Sequence, residues 1–130
     1  MAGSKKVDVL IIDDNVVIRY MLRHILSGEG YDVVGEAVDG QSGLDLARQL
    51  RPALICLDVL MPGGSGLDIL KQLKDELPGT SVLIVTGNNQ SETMATALRN
   101  GAAGFIQKPF KSDDLLQSVA NVVAKQSAQS

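Results

Sequence analysis

Aromatic residues make up only 3% of this 130-residue chain: two Tyr, two Phe and no Trp. So little ring material argues against a protein that sandwiches a flavin. Cysteine is reduced to Cys56, which cannot close an internal disulfide, and histidine to His24, so the sequence holds no His/Cys set for a soft metal. Positive charge is also scarce. Twelve Lys and Arg against 15 Asp and Glu leave a formal net charge of -3, which supplies no field for a polyphosphate backbone, and direct nucleic-acid binding is not expected. Long hydrophobic runs are missing too. The apolar stretches Val9 to Ile12 and Val82 to Val85 fall far short of the roughly 20 residues of a membrane span. No apolar signal-peptide core precedes Asp13 and Asp14, so a cytoplasmic protein without membrane insertion is expected.

What is present is enough apolar material, 45% of the residues, for one ordinary core. The expectation is a single domain over residues 1–130, with a core from about 7 to 123 and solvated tails at Met1 to Lys5 and Lys125 to Ser130. Short apolar runs alternate with helix-patterned segments. Val7 to Ile12, Asp32 to Val38, Ala53 to Leu57, Ser81 to Val85 and Ala103 to Gln107 read as strands, the first, third and fourth apolar on both faces.

Between Asn15 and Ser27, the residues Ile18, Met21, Leu22, Ile25 and Leu26 mark one helix face. The same spacing recurs in Leu44, Ala47 and Leu50, in Leu67, Leu70, Leu73 and Leu77, and in Leu115, Leu116, Val119, Val122 and Val123. Gln90 to Asn100 is a weaker, short helix marked by Met94, Ala97 and Leu98, with Asn100-Gly101 as its stop; Gly28, Gly30 and Pro78-Gly79 punctuate two others. Five such units define an α/β, doubly wound, parallel sheet with helices on both faces. The pattern alone does not order the strands.

In such sheets the chemistry sits beyond the carboxyl ends of the strands. Asp13 and Asp14 follow the first strand, Asp58 the third, Thr86-Gly87 the fourth and Lys108-Pro109 the fifth. Clustered carboxylates repel unless a cation joins them, and oxygen ligands without His or Cys select a hard one, with Mg2+ the best fit. An aspartate carboxylate is ionised at neutral pH, so Asp58 needs no base to act as a nucleophile towards a phosphoryl group, while Lys108 and Thr86 offer donors for the phosphoryl oxygens. Singly, each residue has a plainer reading: Asp13 and Asp14 could cap the first helix, Asp58 and Thr86-Gly87 could be turn residues, Lys108-Pro109 a solvated turn. Their convergence on one edge favours a site. Cys56, Met21 and Met94 read as core packing, His24 as solvent-facing, and Asp113 and Asp114 as helix-start residues.

With these residues the chain resembles the receiver domain of two-component response regulators from about Val7 to Val123. The motifs are Asp13-Asp14, Asp58 in Leu-Asp-Val-Leu-Met-Pro-Gly-Gly-Ser-Gly, Thr86-Gly87 and Lys108-Pro109-Phe110. The resemblance implies the flavodoxin-like strand order 2-1-3-4-5, and a signalling switch, rather than an enzyme, that catalyses its own phosphorylation and dephosphorylation. It implies phosphoryl transfer from a histidine kinase or phosphotransfer protein to Asp58. It places Mg2+ on Asp14, Asp58 and the Leu60 backbone carbonyl, with Asp13 acting through water, and a cis bond at Lys108-Pro109.

Switching in the family couples Thr86 to an aromatic residue, here Phe105 where Tyr is commoner, and the output face is the fourth helix, fifth strand and fifth helix. Ser65 stands where Asp is common. Leu60 and Asn88 occupy positions that tune hydrolysis of the aspartyl phosphate, and Leu60 offers water no hydrogen bond. Three competing readings are weaker. A haloacid-dehalogenase phosphatase would need an acid two residues after the nucleophile, where this chain has Leu60. A flavodoxin-like FMN binder lacks its aromatics, and a phosphorylation-independent module would not require the acids, Thr86 and Lys108 together.

Overall fold

The computed structural model describes residues 7–61, 66–87 and 90–129. Five strands, β1 (Asp8–Ile12), β2 (Asp32–Ala37), β3 (Leu54–Leu57), β4 (Ser81–Thr86) and β5 (Gly104–Gln107), alternate with five helices, α1 (Val16–Gly28), α2 (Gly40–Leu50), α3 (Gly66–Glu76), α4 (Ser91–Arg99) and α5 (Ser112–Gln129). All strand pairs are parallel and the order is β2-β1-β3-β4-β5. The expected α/β class and strand order are therefore those observed.

The two-sided apolar strands separate into two cores by the period of two that governs a pleated sheet. Leu10, Ile12, Ile55, Leu57, Val82 and Ile84 face one way, onto Leu44 and Ala47 of α2 and Leu70 and Leu73 of α3. Their neighbours Val9, Ile11, Leu54, Cys56, Leu83 and Val85 face the other way, onto Leu22 and Leu26 of α1 and Leu115 and Val119 of α5. Cys56 is fully enclosed, and burial pushes its thiol pKa up to about 12, so it is an inert core residue.

Expectations for three apolar helix residues and for the C-terminal stretch change. Met21 and Met94 are each 37% exposed rather than buried, and Leu98 is 59% exposed. In α4 the buried residue is Ala97; its neighbour Leu98 is turned about 100° away, because successive residues rotate by that much around a helix. Of the Lys125 to Ser130 stretch, the residues through Gln129 continue α5, and the Gln126 amide donates to Ala53 O and Ser81 Oγ, both at 2.7 Å, while Ser130 lies outside the described residues. Helix α2 ends without glycine, at Arg51 in the left-handed region (φ 45°), whose N–H donates to Ala47 O before Pro52. The glycine stops that do hold are Gly30 (φ 96°) and Gly101 (φ 104°).

Gly66 starts α3 directly behind β3. A Cβ there would lie 2.4 Å from Val59 Cα, 2.9 Å from Val59 O and 3.0 Å from Asp58 O, all backbone atoms that cannot rotate aside. Gly66→Ala is therefore expected to lower stability by about 2 kcal/mol, read as a lower urea midpoint at unchanged slope. An unshifted midpoint would show that this segment yields freely.

Candidate functional site

The site grows out of the backbone ladder. Past the ends of β1, β3 and β5, the N–H of Asp13 donates to Ala37 O (3.0 Å), that of Asp58 to Ile12 O (3.0 Å) and that of Lys108 to Thr86 O (2.8 Å). These three residues thus hold the positions of further rungs, although they lie outside the strands proper. Because β1 and β3 are adjacent, and parallel neighbours run about 4.8 Å apart, Asp13 and Asp58 come side by side.

Asp13 and Asp58 are buried while Asp14 is exposed. One carboxylate oxygen from each lies within 4.8 Å of the others. Capping does not explain the acid pair, because Asn15 caps α1, its Oδ1 accepting from Val17 N (2.9 Å) and Ile18 N (3.1 Å). Asp13 Oδ1 instead accepts from Asn15 N at 2.9 Å.

Lys108 sits beyond β5, separated from β3 by β4, and its long stem spans that gap. Its Nζ donates to Asp13 Oδ2 (2.7 Å) and Asp58 Oδ2 (3.0 Å). Burial pulls the ammonium pKa down, but the two carboxylates outweigh it and the net shift is upward. For Asp13 burial wins: desolvation raises its pKa, aided by repulsion from Asp58, against the lowering pull of Lys108 and the Asn15 N–H. Asp58 Oδ1 accepts from Leu60 N at 2.8 Å. The Leu60 side chain, 53% exposed, stands beside the pocket.

Thr86 is fully buried and is the last residue of β4 rather than the first beyond it. Phe105 of β5 pairs with Ile84 of β4 and lies half-buried against the core between the sheet, α2 and α3. The Lys108-Pro109 bond is cis, as the resemblance implies. His24 is exposed and stacks on Tyr20, with ring centroids 6.1 Å apart, away from the acids. Ser65, Asn88 and the Gly63-Gly64 pair fall outside the described residues.

Sequence reasoning missed Arg19 of α1. Its Nε pairs with Glu36 of β2 at 3.1 Å and its Nη1 donates to the Asp13 carbonyl at 2.8 Å. Arg19 and Arg23 stand one turn apart, which was visible as a basic pair. Their shared acid is visible only once β2 is known to lie beside β1.

A three-carboxylate pocket with an ammonium wedged into it fits a hard divalent cation by donor chemistry. Chain comparison agrees with the fold and the pocket. The family model described as "Response regulator receiver domain" matches residues 9–120. The chain is 35% identical over 115 residues to Protein CcdB of Bacillus subtilis, covering 88% of this chain and 96% of that protein. It is 33% identical to the nitrate/nitrite response regulator NarL of Escherichia coli, covering 95% of this chain but 58% of NarL.

Among solved structures, a CheY-like response regulator receiver domain protein from Methanospirillum hungatei superposes with a TM-score of 0.91 at 27% identity, covering 97% of this chain and 100% of that one. The CheX-CheY-BeF3-Mg2+ complex from Borrelia burgdorferi gives 0.87 at 26% identity, covering 90% and 89%. The chain belongs to the response regulator receiver domain family, and is a signalling protein of two-component systems rather than a classical enzyme. Membership implies a histidine kinase as partner. No helix among the described residues is long and apolar enough to cross a membrane.

A carboxyl group whose pKa is raised by folding binds its proton more tightly in the fold than in the unfolded chain. Its contribution is most favourable below the ordinary aspartate pKa and is lost as pH rises through the raised value. In chelator at neutral pH, ionised Asp13 therefore costs stability, and Asp13→Asn is expected to melt higher than the parent, the gap closing as pH falls towards the ordinary aspartate range. A lower-melting variant at neutral pH would contradict this.

Proposed function

We propose that the chain is a phosphorylation-dependent switch in which Asp58 accepts a phosphoryl group from a histidine kinase or phosphotransfer protein. The observation that carries this reading is the contact of Lys108 with both Asp13 and Asp58 inside one acidic pocket. An oxygen of the Asp58 carboxylate forms the new P–O bond as the P–N bond of the donor's phosphohistidine breaks and its imidazole leaves. Lys108 and the Thr86 hydroxyl meet the phosphoryl oxygens and offset the charge that arrives with them.

Mg2+ is the cation this donor set favours, held by Asp14, Asp58 and the Leu60 backbone carbonyl, with Asp13 acting through water. It would neutralise charge on the transferring group. The presence of Mg2+ and BeF3 in the Borrelia complex supports this assignment. Thr86 and Phe105 act as the switch, altering the surface of α4, β5 and α5 that binds a downstream protein. Three further parts belong to the proposal: one receiver domain across the chain with its core from about 7 to 123, a cytoplasmic setting, and no direct contact with nucleic acid.

Intact mass after incubation with a small phosphodonor tests the chemistry. The parent is expected to gain one phosphoryl group with Mg2+, and none in chelator or as Asp58→Asn. A parent that neither gains mass nor binds beryllium fluoride would overturn the reading. A second outcome concerns lifetime. Leu60, exposed beside Asp58 and without a polar side-chain atom, cannot orient an attacking water. Leu60→Asn is therefore expected to speed loss of the phosphoryl group severalfold, whereas an unchanged decay rate would remove Leu60 as a control on hydrolysis.

A further inference from the structure

We infer that Arg19 is a positioning residue for the acidic pocket, setting the direction in which Asp14 leaves β1 by holding the carbonyl of the Asp13-Asp14 peptide bond. This rests on the receiver reading above and deepens it.

Every other polar group of Asp13 is already committed. Its N–H is tied to Ala37 O of β2 (3.0 Å), Oδ1 to Asn15 N (2.9 Å) and Oδ2 to Lys108 Nζ (2.7 Å). The carbonyl is the remaining handle on the peptide plane joining Asp13 to Asp14, and Arg19 Nη1 takes it at 2.8 Å. A peptide unit is planar, so fixing its oxygen fixes the orientation of the next residue's N–Cα bond. Asp14 is the exposed member of the acid cluster.

The guanidinium is itself braced. Its Nε donates to Glu36 Oε1 at 3.1 Å, and the side chain is only 15% exposed. Glu36 also takes Arg23 Nε on its other oxygen, at 2.5 Å. Arg23 thus shares the acid of the brace, but it is 45% exposed and donates to Glu36 rather than to the Asp13 carbonyl. Two donations from different edges of one planar group, to a carboxylate and to a carbonyl, suit arginine. A lysine has the charge and a similar stem, but a single ammonium point cannot fill both positions in that geometry.

The test is calorimetric titration of Mg2+ into chelator-stripped full chain, for the parent, Arg19→Lys, Arg19→Gln and Arg23→Gln, with metal-free melting of each. Outer-shell partners of metal ligands typically change affinity by ten- to a hundredfold. Arg19→Lys and Arg19→Gln are expected to weaken Mg2+ binding by about tenfold, and Arg23→Gln to leave it near the parent value. The backbone amide resonance of Asp14 is expected to shift in Arg19→Lys and to stay in place in Arg23→Gln.

Parent-like Mg2+ affinity in Arg19→Lys would overturn the inference, since charge alone would then suffice. So would an equal loss in Arg23→Gln, which would make the effect one of general destabilisation. Should Arg19→Gln fail to fold, Arg19→Lys, which keeps charge and stem, still decides. A parent that binds no Mg2+ and gains no phosphoryl group would instead bring down the phosphorylation-switch reading and this inference together, whereas a parent that does both while the Arg19 variants match it would overturn the inference alone.

Discussion

The parallel hydrogen-bond ladder continues beyond its strands, and the pocket depends on that continuation. Asp13, Asp58 and Lys108 each hold a backbone rung to a neighbouring strand before their side chains meet. In an open parallel sheet, the strand ends on the carboxyl side converge on one edge because right-handed crossovers return every helix across the opposite direction. The alternation of apolar residues that fills two cores is therefore also what aims the acids. A slip of one residue in β1 would exchange Leu10 and Ile12 with Val9 and Ile11 between the two cores, and would carry Asp13 off the pocket.

Much of this is legible in the amino-acid sequence. The strands are short apolar runs that no helix pattern competes with, and the polar residues that follow them stand out because they interrupt those runs. The observed bounds differ from the expected ones by a residue or so, and the Lys108-Pro109 bond is cis as the resemblance implies.

What the sequence concealed has physical causes. A hydrophobic stripe says which side of a helix prefers burial, but not how much of that side a neighbour covers, so Met21, Met94 and Leu98 read as core and are partly exposed. The end of α2 was hidden because Arg51, not glycine, takes the left-handed conformation. The polar stretch after Val123 looked solvated because its composition is; the Gln126 amide bonds it to Ala53 and Ser81 at the amino ends of β3 and β4. Arg19 was hidden because one partner follows β1 and the other lies on β2, and their proximity is a property of strand order.

Counted as formal charges, the pocket has a valence. Three carboxylates and one ammonium leave two formal negative charges there, and Arg19 meets the pocket through a backbone carbonyl rather than a carboxylate. One divalent ion cancels that remainder, a monovalent ion leaves half of it, and a trivalent ion overshoots. Lys108 sets that remainder: without its ammonium, the same three carboxylates would carry one more uncompensated negative charge.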